Sequence, residues 1–128
     1  MQVNSVGFYK EMSDVKGDAE SIHSYVNKGR KEEIENICNY LDSGIAIVVV
    51  PGISKDIINP ERGSAGTSSK YTDGVWIWRG DLSYYVRSYN LKLPENFIKT
   101  MKNNKWKVPI TIEDLDSDSL EIDGIKIY

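Results

Sequence analysis

The chain is poor in the residues that most chemistry needs. Among its 128 residues there is one cysteine, Cys38, and one histidine, His23. A single cysteine excludes an internal disulfide. One Cys and one His cannot build a zinc site without carboxylates. The longest apolar run, Ile45–Val50, is far too short to cross a bilayer. No basic stretch followed by an apolar one opens the chain, so no signal peptide is expected. With the lack of disulfides, this points to the cytoplasm. There is no internal repeat, no low-complexity stretch and no obvious linker. A Gly-Lys-Ser/Thr phosphate cradle is missing too, and Gly63-Ser-Ala-Gly66 sits in a loop-like segment instead of a strand-to-helix junction.

What is present is ordinary globular material. The length suits one domain spanning 1–128, and a hydrophobic fraction of 40% with 27% charged residues allows a real core. The net charge is −3, unevenly spread. Residues 111–128 carry six acids against Lys126 alone, a balance of −5, which leaves +2 for residues 1–110. Non-specific nucleic-acid binding needs clustered Lys and Arg, so neither DNA nor RNA is expected as a partner. A membrane partner is not expected either.

Periodicity predicts the elements. Val3, Val6 and Phe8 hint at an irregular or strand-like start. Asp18 can cap a short helix carrying Ile22, Tyr25 and Val26 and ending at Gly29. Ile34, Ile37, Cys38 and Leu41 form one helical stripe, stopped by Gly44 in the manner of a C′ glycine. Ile45–Val50 reads as a buried strand closed by Pro51-Gly52. Residues 52–70 read as a long loop. Asp73-Gly74 signals a hairpin, a helix follows from about Asp81, and Pro94 suits the first turn of another that carries Phe97, Ile98 and Met101. Around Asp123-Gly124 the alternation of Leu120, Ile122, Ile125 and Ile127 predicts a closing hairpin. The sum is an α+β domain with a small, mainly antiparallel sheet and about four helices.

The search for reactive groups yields alternatives more than a site. Cys38 lies on an apolar helical stripe, where burial would make it inert. Asp114-Leu-Asp-Ser-Asp118 opens like a calcium loop, but its sixth and twelfth positions are Ser119 and Ile125 where Gly and Glu are required. Asp56, Glu61 and Asp73 around the long loop are the carboxylates on which a small enzyme would have to draw. Trp76 and Trp78 share one strand face and read either as core or as an aromatic interface. The acidic end reads either as solvated surface or as a recognition element for a basic partner.

A resemblance sharpens this. The stretch Thr72-Asp-Gly-Val-Trp-Ile-Trp-Arg-Gly-Asp-Leu-Ser-Tyr-Tyr-Val86, followed by Leu93-Pro-Glu-Asn-Phe97, resembles a pattern in small bacterial immunity proteins encoded beside polymorphic or contact-dependent toxins. Gly7-Phe8-Tyr9 and Tyr40-Leu41-x-x-Gly44 are similar to it as well. Arg79 stands where proline is more readily expected, a departure bearing on turn geometry. The resemblance implies a protein that binds and blocks a cognate toxin domain, and the residue chemistry above, which offers no catalytic residue, cofactor or metal site, agrees with a non-enzymatic reading. A basic nuclease would suit an acidic inhibitor. The charge pattern, not the resemblance, places the expected contacts at Asp114, Asp116, Asp118, Glu121 and Asp123, with the aromatic face of Trp76 and Trp78 next. The other readings are a small carboxylate enzyme and an interaction module with no toxin partner. The oligomeric state is left open.

Overall fold

The structure is a computed structural model and describes residues 1–115 and 119–127. Its strands are β1 (Gln2–Ser5), β2 (Ile45–Val48), β3 (Ser54–Lys55), β4 (Ser64–Gly66), β5 (Lys70–Thr72), β6 (Trp76–Arg79), β7 (Glu121–Ile122) and β8 (Ile125–Lys126). Its α-helices are α1 (Ile34–Asp42), α2 (Leu82–Tyr89) and α3 (Glu95–Asn103). Six strands form one sheet in the order β2-β5-β6-β1-β7-β8, and β3 and β4 form a separate two-stranded ribbon. The fold is α+β, as the periodicity implies.

Each helix forms where its apolar positions make one stripe, and that stripe meets the sheet. Ile37, Cys38 and Leu41 of α1, Leu82, Tyr85 and Val86 of α2, and Phe97, Ile98 and Met101 of α3 are all buried. They close over the Trp78 face of the sheet in one main core. Thus i, i+3, i+4 spacing in the sequence becomes a helical layer over β6. The opposite face carries a smaller cluster of Val3, Ile77 and Leu120.

The sheet is mixed, not mainly antiparallel. β1, from a segment with little periodicity, inserts between β6 and β7 and runs parallel to both, while β2–β5, β5–β6 and β7–β8 are antiparallel. Three α-helices are present among the described residues, not about four. The segment expected to be the first of them makes only a 3₁₀ turn at Ile22–Ser24, capped by Ser21 and not Asp18. Its backbone groups are used elsewhere: Asn27 N–H donates to Tyr89 C=O, Tyr25 C=O accepts from Lys92 N–H, and Asn27 has φ 62°. A helix cannot continue through those bonds.

Three local readings also change. Ile45–Val48 is an edge strand with Ala46 exposed, so its β-branched run is not buried on both faces. Residues 52–70 are not structureless, since they hold the β3–β4 ribbon and a 3₁₀ turn at Pro60–Arg62. Gly44 is not in the left-handed region. It is glycine because a Cβ there would stand 2.5 Å from Cζ2 of Trp78 and 3.0 Å from Cβ of Tyr71. The two Asp-Gly turns form where expected, and at the second, Asp123 (φ 54°) and Gly124 (φ 82°) have the paired positive φ of a tight two-residue hairpin.

No helix among the described residues is long and apolar enough to cross a membrane.

Candidate protein-interaction surface

The closing hairpin and its approach form the surface on which the acidic residues fall. Asp114 is the third residue of a capping box: its carboxylate accepts from the Thr111 N–H at 2.7 Å and from the Thr111 hydroxyl at 3.3 Å. Asp123 accepts from the Ser5 N–H at 2.8 Å and from the Ser5 hydroxyl, tying the hairpin tip to β1. Glu121 is half-buried on β7, opposite Lys126 of β8 and beside Gln2 of β1. Asp116 and Asp118 lie outside the described residues. Two of these acids therefore have local work in holding the backbone, so their presence does not by itself require a partner.

Apolar exposure accompanies them. Ile125 and Ile127 are 67% and 50% exposed, Ile112 is 70% and Val75 is 49%. Val75, Asn4, Glu121 and Gly124 line one cleft of about 240 Å³, which places the Asp73-Gly74 turn beside the hairpin tip. Ile110 packs on this turn too, with a methyl carbon 3.3 Å from the position a Cβ of Gly74 would take. β8 pairs only with β7 and is the edge of the sheet. An edge strand flanked by exposed isoleucines is the kind of element that natural proteins usually cover.

The tryptophans belong elsewhere. Trp78 is fully buried, donates its indole N–H to the Leu41 carbonyl at 3.2 Å, and lies 5.4 Å from the Phe97 ring centre. It is core, which corrects its expected contact role. Trp76, half-buried, donates to the Thr100 hydroxyl at 3.1 Å and packs on the same Phe97, at 5.2 Å. Its indole anchors α3 to β6.

Two of the three carboxylates weighed for chemistry, Asp56 and Asp73, are also structural. Asp56 is fully buried. One oxygen accepts from the Ile58 and Asn59 N–H groups at 2.8 Å, and the other accepts from the Tyr84 and Tyr89 hydroxyls at 2.7 and 2.5 Å. Burial alone would raise its pKa, but Tyr89, the Asn59 N–H, Tyr84 and the Ile58 N–H outweigh it and hold the carboxyl below the usual range. Asp73 accepts from the Val75 and Trp76 N–H groups and from the Tyr40 hydroxyl at 2.6 Å. Glu61 is exposed. Cys38 is buried, its thiol donates to the Ser83 carbonyl, and burial pushes its pKa up to about 11. His23 is exposed. Among the described residues no three His, Cys, Asp or Glu side chains gather as a metal site would require.

Three features escaped the sequence reading. Arg79 does not mark a turn. It is buried and clasps Asp81 with two bonds of 2.8 and 3.0 Å while also reaching Asp14, which Lys70 meets at 2.8 Å. Burial would depress its pKa, but Asp81 and Asp14 raise it further. The second feature is the Asp56–Tyr84–Tyr89 cluster, which only the turn at Asp56–Asn59 brings together. The third was visible: residues 84–110 carry six basic residues against Glu95 alone. Averaging over residues 1–110 hid this block, which directly precedes the acidic one. Lys102 pairs with Glu33 at 3.0 Å and Arg87 with Glu35 at 3.6 Å, so two acids at the start of α1, its cap residue and one in its first turn, offset part of it.

Compared with protein-family models, curated proteins and solved structures, the chain matches none of them.

Proposed function

We propose that this protein is a non-enzymatic immunity protein of the cytoplasm that binds a cognate bacterial toxin domain and blocks it. The observation that carries the reading is the closing hairpin, with the acidic Glu121 and Asp123 and the exposed Ile125 and Ile127, together with the 3₁₀ turn Ile112–Asp114 that precedes it and carries Asp114 and the exposed Ile112. Exposed isoleucines supply area to bury, and the acids around them favour a basic partner. Such a patch suits the substrate groove of a nuclease, where a negative inhibitor replaces the phosphate backbone. The resemblance across residues 72–97 supports the same reading. The engagement of Asp56 and Asp73 in tyrosine and backbone hydrogen bonds favours it over a carboxylate enzyme.

Co-expression with the toxin encoded beside it tests the proposal. The expected results are rescue of growth and a complex that survives gel filtration. If the toxin kills at full potency and the two proteins elute apart, the reading is wrong. Rescue without a complex would instead indicate an activity against the toxin's product.

A further inference from the structure

A second surface, built on α2 and the 3₁₀ turn, has the make-up of a receptor for a cation. Asp56 is a fully buried carboxylate that forms no ion pair among the described residues. Its charge is met by two backbone N–H groups and by the hydroxyls of Tyr84 and Tyr89. A phenol that donates to a carboxylate gains phenolate character, and its ring face becomes more negative. Both tyrosine pKa values are raised, Tyr84 first by its bond to Asp56 and Tyr89 first by burial and then by that bond. The rings stand 6.4 Å apart at 63°, two walls of a notch, and both are only half-buried.

That notch already holds a cation. The guanidinium of Arg62 lies 5.1 Å from the centre of the Tyr89 ring and 6.0 Å from that of Tyr84, within the range of cation–π attraction. Arg62 is exposed, and it ends the short turn Pro60–Arg62 at the tip of the ribbon. It is an arginine presented by a loop to a pair of rings backed by a buried anion.

We infer that Tyr84, Tyr89 and Asp56 form a guanidinium-binding site, occupied in cis by Arg62, which takes an arginine side chain of a partner protein when Arg62 is displaced. A flat guanidinium suits it better than an ammonium, because it can stack on one ring while pointing N–H groups at a hydroxyl. The site opens to solvent, so nothing in it would grip the remainder of a small molecule. This inference does not depend on the partner being a toxin.

The test compares wild-type protein with Arg62→Ala in titrations with N-acetyl-arginine amide, followed by the Tyr84 and Tyr89 ring signals in NMR. The variant should bind saturably and about tenfold more tightly than wild type, because the competing internal cation is gone. The lysine analogue should bind more weakly and the neutral citrulline analogue not at all. Adding Tyr89→Leu to Arg62→Ala should abolish binding. Arg62→Gln, which keeps the side-chain stem, repeats the measurement should alanine loosen the turn. Equal affinity of wild type and both variants, or citrulline binding as well as arginine, overturns the inference. Free arginine binding more tightly than the capped amide would mark a small-molecule site and overturn the assignment to a partner side chain.

Discussion

Replacing Asp56 by Asn isolates what one buried charge does for the fold. The asparagine keeps a carbonyl oxygen for the Ile58 and Asn59 N–H groups. It puts an NH₂ where the second oxygen accepted from Tyr84 and Tyr89 at 2.7 and 2.5 Å. Two charge-assisted bonds then become at best ordinary ones with a rotated hydroxyl. Bonds to charged groups contribute about 1.5–3 kcal/mol each and neutral ones about 1, so the net loss over two bonds should be about 1–4 kcal/mol. At roughly 3–5 °C per kcal/mol for a domain of this size, the melting temperature falls by roughly 3–20 °C. The pH dependence gives the sharper check. The folded pKa of Asp56 is lowered, so its contribution is complete above the unfolded value of about 3.9 and is lost as pH falls through the lower folded value. Urea denaturation at pH 7, 5 and 3 should give the same gap between wild type and variant at the first two and a smaller one at the third. A gap below about 0.5 kcal/mol at pH 7, or one unchanged at pH 3, would refute the assignment of the charge to this role.

Other outcomes follow from the same geometry. Gly44→Ala should destabilise by about 1–3 kcal/mol through the clash with Trp78, although the same change at an open site of negative φ would gain up to about 1; a higher melting temperature would show that the indole can move. Asp114→Asn with Asp116→Asn and Asp118→Asn should slow association with the toxin and flatten its salt dependence. Loss of the Thr111 box should cost about 1 kcal/mol in denaturation, and a wild-type rate at low salt would move the interface elsewhere. Ile125→Lys with Ile127→Lys should leave stability within about 0.5 kcal/mol of wild type yet weaken toxin capture in calorimetry, since both side chains are largely exposed. Cys38 should resist thiol reagents in the native protein and react once it is unfolded, because its thiol is buried with a pKa of about 11.

What could be read from the sequence was whatever the local pattern determines. The stripes of α1, α2 and α3 and the two Asp-Gly turns depend on residues a few positions apart, and they appear where periodicity places them. β1 could not be read in this way. Its place between β6 and β7 is decided by pairing partners more than 70 residues away, and a four-residue strand leaves almost no signature of its own. The 22–26 segment misled for the opposite reason: it has helical spacing, but tertiary bonds to Tyr89 and Lys92 claim its backbone. At the candidate surface, the acids and the exposed hairpin isoleucines were visible as composition and alternation. Which of the acids are spent on Thr111 and Ser5 was not, because a capping contact and a recognition contact draw on the same residue types. The two tryptophans share a face as their spacing requires, but only packing against Phe97 shows that the face is turned inward.

The placement of β1 also orders events during synthesis. Gln2–Ser5 leaves the ribosome long before Trp76–Arg79 and longer still before Glu121–Ile122, yet it must lie between them. Until both have emerged, the strand has no slot to fill, and Val3 has neither Ile77 nor Leu120 to rest on. The β5–β6 hairpin can form first because its two strands are near in sequence. Closing the sheet means bringing together segments separated by nearly the full described length, which is slow and entropically costly. A nascent chain would therefore carry β1 without its full set of neighbours until Glu121–Ile122 has emerged, and the candidate surface on β7 and β8 would take shape only once β1 is in its slot.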